Sequence, residues 1–347
     1  MQTMNKVRSR APLRLGLAGG GTDVAPYCDL YGGQVLNATI NHYAHCTIEP
    51  LRENVVEFHA LDVGTHENHD AAPYLDPGDG LSLHRDTYNL VVERFNGGKP
   101  LGLRLFSRSD APPGSGLGSS STLVVAMIQA YLEWLRLPLG EYDVARLAFE
   151  VERIRLNQTG GRQDQYAAAF GGVNFIEFHA EERVVVNPLR VKSWIMNEFE
   201  SSLVLYDSSI ARFSSHIIEE QISRIEGNED EAIDATHHLK DDALRMKEAL
   251  LKGDMKQIGE VLNRSWAAKK MLASSISNPD LDETISVARK AGALAGKISG
   301  AGGGGFMMFL VEPSQRLDLE RALTQRGGRL LPFRFSFEGA ESWIVRK

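Results

Sequence analysis

A run with three glycines and five hydroxyl residues, Pro112-Pro113-Gly114-Ser115-Gly116-Leu117-Gly118-Ser119-Ser120-Ser121-Thr122, leads straight into the apolar segment Leu123-Val124-Val125-Ala126-Met127-Ile128. Glycine lets successive backbone N–H groups converge on one anion. A helix start adds N–H groups without acceptors and a partial positive charge. The combination is a phosphate cradle spanning Pro113 to Ser121. No lysine follows the last glycine, so the segment is not a Walker A loop. Read without regard to chemistry, the same letters give a flexible loop with Ser119 as helix cap.

A second segment with chemical content is Gly160-Gly161-Arg162-Gln163-Asp164-Gln165-Tyr166-Ala167-Ala168-Ala169. Its glycines permit a tight loop, and its small residues permit a closely packed helix. Asp164 could accept a proton there, or could simply cap the helix. Two further glycine-rich stretches lie near the ends: Ala11-Pro12-Leu13-Arg14-Leu15-Gly16-Leu17-Ala18-Gly19-Gly20-Gly21-Thr22-Asp23 and Lys297-Ile298-Ser299-Gly300-Ala301-Gly302-Gly303-Gly304-Gly305-Phe306.

Three such motifs in this order, over nearly the whole chain, resemble the GHMP kinases. The resemblance implies an α+β, two-domain kinase fold with its active site in the cleft between domains. It places an N-terminal ATP-binding domain at residues 1–188 and a C-terminal domain at 189–347. It implies ATP and Mg²⁺, with the Ser120 hydroxyl and the Glu152 carboxylate on the metal; Glu150 is an equally spaced competitor. Gly161-Arg162-Gln163-Asp164-Gln165 matches the setting of the family's catalytic aspartate, and Arg14 aligns with its basic partner. A guanidinium beside a carboxylate favours its ionised form and offsets charge on the phosphoryl group.

Within the family, Leu13 to Asp23 followed by Tyr31-Gly32-Gly33-Gln34-Val35-Leu36-Asn37-Ala38-Thr39-Ile40 looks most like the branch acting on D-glycero-D-manno-heptose 7-phosphate. That branch phosphorylates the anomeric hydroxyl and feeds nucleotide-heptose and surface-polysaccharide synthesis. Galactokinases carry Gly-Glu-His-x-Asp where this chain has Gly19-Gly20-Gly21-Thr22-Asp23. Gly20, Gly21, Thr22 and Asp23 are therefore assigned to the sugar, with Asp23 as acceptor for its hydroxyls. Gly302 and Gly303 are assigned to the substrate side as well. A sugar phosphate also needs a cation, and Arg212, Lys269, Lys270 and Lys297 are the candidates. Arg212 is favoured because Ser208-Ser209-Ile210-Ala211-Arg212-Phe213-Ser214-Ser215 reads as a hydroxyl-rich turn opening a helix. Many relatives carry a glycine in this turn that is absent here.

The elements that must position these residues follow from patterning. Leu13 to Ala18, Gln34 to Ile48, Val55 to His59 and Leu101 to Phe106 read as strands. His66 to Gly80 reads as a polar loop, and its His66-x-x-His69 pair as part of that loop rather than a metal site. Ser119 to Leu135 is a long helix. Glu141 to Leu156 is a second one, apolar along Val144, Leu147, Ala148, Val151 and Ile154. Strands return at Gly171 to Phe178 and Leu203 to Tyr206. Amphipathic helices fill residues 214 to 289, and strands at Gly296 to Ser299 and Phe306 to Val311 bracket the third glycine run. Gly300-x-Gly302-x-x-Gly305 spells a dinucleotide fingerprint, but the strand-like Phe306 to Val311 follows where a helix should.

The 347 residues are 43% hydrophobic and 24% charged, with a net charge of −7. That composition supports a sizeable core and no basic block for nucleic acid. Cys28 and Cys46 show no metal spacing and fit a reducing cytoplasm. Arg14 and the glycines interrupt any signal-like apolar region, and no run approaches the ~20 residues that cross a bilayer. The expected partners are ATP and a small sugar phosphate, without nucleic acid or membrane; a homodimer stays open. The competing functions are a kinase of an unphosphorylated sugar such as fucose or mannose, and a silent sugar-binding regulator. Retention of Asp164 and the whole phosphate loop argues against the regulator. The sugar-type first motif argues against a decarboxylase.

Overall fold

The computed structural model describes residues 5–208 and 214–346. In chain order the first half contains β1 (Val7–Ala18), α1 (Tyr27–Tyr31), β2 (Gly33–Pro50), β3 (Val55–Ala60), β4 (Thr65–Asp70), α2 (Ser82–Phe95), β5 (Leu103–Ser109), α3 (Ser119–Leu135), α4 (Glu141–Phe149), α5 (Gln163–Phe170), β6 (Val173–Phe178) and β7 (Val184–Pro188). The second half contains α6 (Ser193–Ser202), β8 (Leu203–Asp207), α7 (Ser214–Glu226), α8 (Asp230–Lys252), α9 (Met255–Lys270), α10 (Pro279–Lys290), β9 (Ala293–Ile298), β10 (Phe306–Val311), α11 (Arg316–Gln325), β11 (Arg329–Leu330) and β12 (Glu341–Ile344).

The long β2 organises an eight-stranded sheet. Its C-terminal part lies between β1 and β5, and its N-terminal part pairs with β6, which in turn pairs with β7. The pairs are antiparallel except for β3 with β5. β12 returns from the chain end to pair with β1, so the C-terminal segment crosses back onto the first sheet. β11, β8, β10 and β9 make a second, four-stranded sheet.

Period-two alternation divides β1 by function. Leu13, Leu15 and Leu17 enter a buried cluster with Ile195, Phe199, Met246, Leu262 and Met308 of the second half. Arg14 therefore faces the opposite side, toward α5 and the phosphate loop, where its hydrogen bonds lie. The β1–β2 register shifts between Pro12 and Arg14. A proline with no N–H suits such an irregularity. One core lies between the large sheet and α2 to α5, and another lies behind the small sheet. The shared core joins the two halves without an intervening solvent layer.

Three expectations change. Of the loop expected over His66 to Gly80, residues 66–70 belong instead to β4, which pairs with β3. β4 is an edge strand with exposed polar residues, so it lacks the apolar alternation that marks a half-buried strand. Within it His69 bonds Glu67 at 3.0 Å, and His66 stacks on His59. The helix expected over Glu141 to Leu156 is α helix only to Phe149. Glu150–Arg155 is a π-helical turn, whose extra residue per turn re-aims the side chains that follow. Ser119 is the first residue inside α3, not its cap; Gly118 caps the helix in left-handed conformation. Among the described residues no helix is long and apolar enough to cross a membrane.

Because one core serves both halves, Met308→Ala, at a fully buried position, should cost about 2–5 kcal/mol. Denaturant unfolding should remain a single transition by fluorescence and circular dichroism. Two separate transitions would show that the halves are independent.

Candidate active site

The phosphate loop lies at the junction of β1, α3 and the third glycine motif. Ser115 and Ser119 hydroxyls bond at 2.8 Å, and Ser119 also donates to the Pro112 carbonyl. The Ser115 carbonyl accepts the Phe306 N–H at 2.9 Å, and the Ser299 hydroxyl donates to the Gly116 carbonyl at 2.9 Å. Gly305 makes this approach possible, since a Cβ there would lie 2.5 Å from the Ser115 carbonyl oxygen. Gly118, at φ +78°, faces Asp164; a Cβ would lie 3.3 Å from its Oδ2. Leu117 contributes backbone only, because its side chain is fully buried in the shared core. The loop's carbonyls are thus tied to the protein, and its chain enters α3 N-terminus first, the polarity that suits a bound phosphate.

Asp164 is the second residue of α5. The Arg14 Nε and Nη2 groups donate to its Oδ1 at 2.7 and 2.6 Å. Arg14 Nη1 donates to the Gly116 carbonyl at 2.6 Å, and the Arg14 N–H to the Leu117 carbonyl at 3.1 Å. Arg14 is only 3% exposed, whereas the Asp164 side chain remains 22% accessible from the cleft. The second expected pair also forms: the Ser120 hydroxyl donates to Glu152 Oε1 at 3.1 Å. Gln165 donates to Glu152 Oε2 at 2.5 Å and to the Ser121 hydroxyl at 3.1 Å. A hydroxyl beside a carboxylate is the hard-oxygen donor set that Mg²⁺ takes along with phosphate and water. The residues present fit the ion. Glu150 does not compete, because it binds Arg94 at 2.6 Å outside this cleft.

The sugar side differs from expectation at several positions. Gly20, Gly21 and Asp23 line the same cleft of about 800 Å³ as Asp164, Ser120 and Glu152. Yet Asp23 is 1% exposed and accepts from Gly21 N at 3.1 Å, Arg162 N at 2.9 Å, Gln163 N at 3.0 Å and Gln163 Nε2 at 3.0 Å. Those donors fill the roughly four lone-pair directions of a carboxylate. Asp23 thus caps the start of α5 from across the fold rather than presenting a free acceptor to a sugar. Gly161 is fitted to it, since a Cβ would lie 2.0 Å from Asp23 Oδ2. Thr22 is fully buried, bonding the Gly19 and Gln34 carbonyls, and holds the turn instead of a ligand. Gly302 packs on Ile276 and the Gly303 N–H bonds the Ile276 carbonyl; Gly300 and Ala301 reach the cleft in their place. Arg212 lies outside the described residues. Lys270 points away, near Asp282 and the Trp266 ring.

Lys269 and Lys297 both line the cleft. The Lys297 ammonium donates to the Gly16 and Leu17 carbonyls at 3.1 and 3.2 Å. Burial pushes its pKa down to about 8; Asp242 opposes the shift and Arg14 adds to it. Residues not singled out from the sequence complete the site: Gln163 and Gln165 on either side of Asp164, Ser299, and Gln221, whose side chain donates to the Gly21 carbonyl at 2.9 Å. The alternation of Gln163 and Gln165 about Asp164 was a usable signal. Gln221, far from any motif, gave none.

A cleft with a glycine-rich phosphate loop, an Arg–Asp pair and a Ser–Glu pair defines a phosphoryl-transfer enzyme. The GHMP kinases N terminal domain matches residues 82–172, and the GHMP kinases C terminal domain matches residues 246–329. The chain belongs to the GHMP kinase family. It is 45% identical, over 99% of its length and 100% of the relative's, to a D-glycero-alpha-D-manno-heptose 7-phosphate kinase of Campylobacter jejuni. Its structure is similar to that of a D-glycero-D-manno-heptose 1-phosphate kinase from Bacteriodes thetaiotaomicron, at TM-score 0.85 and 43% identity over 98% of this chain and 100% of that one. The Methanococcus jannaschii mevalonate kinase shares the fold at TM-score 0.74 and 18% identity, over 95% of this chain and 98% of that one.

Asp23→Ala should uncap α5 and misplace Asp164. We expect kcat to fall at least about tenfold, with ATP affinity kept and about 0.5–2 kcal/mol of stability lost. A higher sugar KM at unchanged kcat would instead make Asp23 a sugar acceptor.

Lys297 binds its proton more weakly folded, at about 8, than at its ordinary 10.5. Between those values the unfolded chain holds more protons, so this residue's contribution to stability rises with pH. Unfolding free energies of wild type and Lys297→Met, compared from pH 7 to 10, should shift in favour of the wild type as pH rises. The limit is about 1.4 kcal/mol per unit of depression. A pH-independent difference would show that the ammonium is not desolvated.

Proposed function

We propose that this protein is an ATP-dependent kinase that transfers the γ-phosphoryl group to the anomeric hydroxyl of D-glycero-D-manno-heptose 7-phosphate, giving the 1,7-bisphosphate. The observation that carries the reading is the convergence, in one cleft, of the Arg14–Asp164 pair, the Ser120–Glu152 pair and the phosphate loop. The full-length Campylobacter relative supports this sugar. The name of the Bacteriodes structure instead puts the first phosphate at C1. A base set beside the phosphate loop favours an acceptor hydroxyl there, with the phosphate the sugar already carries at the opposite end.

In this mechanism Asp164 takes the proton of the attacking hydroxyl through the oxygen facing the cleft. The new O–P bond forms as the bond to the ADP oxygen breaks. Arg14 fixes the other carboxylate oxygen and supplies positive charge close to the transferring group. The loop's N–H groups and the α3 N-terminus hold the ATP phosphates. Mg²⁺ held by Ser120 and Glu152 would neutralise charge on those phosphates. Asp23, through the start of α5, keeps Asp164 at its station.

The test is ADP release with heptose 7-phosphate, mannose, fucose, galactose and mevalonate in parallel. Heptose 7-phosphate should give the highest kcat/KM. Asp164→Asn should keep fold and ATP binding while losing about 10²–10⁴ in rate. A loss below about tenfold would demote Asp164 to a structural partner of Arg14. A higher kcat/KM on an unphosphorylated sugar would replace the proposed substrate.

A further inference from the structure

If the substrate carries a distal phosphate, some cation must meet it. Among the described residues four basic side chains line the cleft: Arg14, Arg153, Lys269 and Lys297. Arg14 is engaged by Asp164 and the phosphate loop. Arg153 lies 3.8 Å from Glu152 and donates to the Gly161 carbonyl at 3.3 Å, on the metal side. Lys297 and Lys269 are equally buried, at 5% and 6% exposure, and position separates them: Lys297 donates to the Gly16 and Leu17 carbonyls of β1, close enough to Arg14 to feel its charge. Lys269 occupies another station. It stands in the last turn of α9, and its ammonium donates to the Gly300 carbonyl.

Gly20 links this station to the base. A Cβ on Gly20 would lie 3.6 Å from Gln163 Nε2, the neighbour of Asp164 in sequence, and 3.9 Å from Lys269 Nζ. Asp164, Gln163, Gly20 and Lys269 thus follow one another along the cleft wall, with the only residue lacking a side chain in the middle. On the next residue, Gln221 closes over Gly21, where a Cβ would meet it at 3.1 Å. Lys269 and its Gly300 partner both line the cleft. Lysine binds phosphate as a point charge with rotatable donors.

We propose that Lys269 binds the phosphate at the far end of the sugar, and that Gly20 leaves the passage through which the sugar's side arm reaches it. The assignment rests on the heptose-phosphate reading. It makes Lys269 a specificity residue: it selects the phosphorylated sugar and takes no part in proton transfer.

The experiment compares kcat/KM for heptose 7-phosphate and for unphosphorylated heptose in wild type, Lys269→Met and Lys269→Arg, with melting temperature and ATP affinity measured alongside. The wild-type ratio should favour the phosphorylated sugar. In Lys269→Met the ratio should fall at least about tenfold, mainly through KM, and Lys269→Arg should recover part of it. Should Lys269→Met fail to fold, Lys269→Gln, which keeps a donor for the Gly300 carbonyl, takes its place. A ratio that survives both neutral substitutions overturns the assignment of Lys269 while leaving the kinase reading intact. A wild-type ratio near one overturns the heptose-phosphate reading, and the Lys269 proposal with it.

Discussion

One guanidinium holds the site together. Arg14 reaches Asp164 with two nitrogens and the phosphate loop with a third, while its own backbone N–H binds the same loop. Three segments far apart in sequence, β1, the loop before α3, and α5, are thereby fixed relative to one another. The pair is shielded from water on the arginine side and open on the aspartate side. Charge-assisted bonds are stronger where water is excluded. The open side leaves one carboxylate oxygen facing the space where an acceptor hydroxyl would sit. Arginine suits this position better than lysine, because its planar fork serves two acceptors in fixed directions.

The rest of the architecture protects that arrangement. Asp23 supplies the cap that α5 lacks locally: Arg162, at the helix start, makes no side-chain capping bond. Asp23 bonds the N–H groups of Arg162 and Gln163. The third glycine motif presses on the phosphate loop through Gly305 and Ser299. Its strands belong to the small sheet, whose residues share a core with β1. Placement of the base, the loop and the sugar-side wall is therefore one packing problem. A cleft of this kind is preorganised, so little rearrangement is needed as charge moves.

The sequence made the chemistry legible and left its supports obscure. The phosphate loop, Asp164 and Arg14 lie in short motifs whose letters already restrict the backbone. Ser120 and Glu152 meet because α3 and the π-helical turn bring them together, and the resemblance to GHMP kinases named both. Positions decided by distant contacts escaped. Thr22 stands beside residues that line the cleft and Asp23 lines it, yet Thr22 turns to Gln34 and the Asp23 carboxylate is spent on the start of α5. Gly302 and Gly303 pack on Ile276, a residue with no motif of its own. The pairing of β12 with β1 spans nearly the whole chain, and no local pattern announces it. β4 escaped because an edge strand facing water has no apolar period to read.

If Arg14 and Asp164 act as one unit, their substitutions should not add. A double-mutant cycle on kcat, with Arg14→Met, Asp164→Asn and the combined variant, measures this directly. The double variant should be no more than a few-fold slower than the slower single variant, as expected for side chains that work only together. If the two losses multiply, Arg14 and Asp164 contribute independently, and the account of the site built on their contact is wrong.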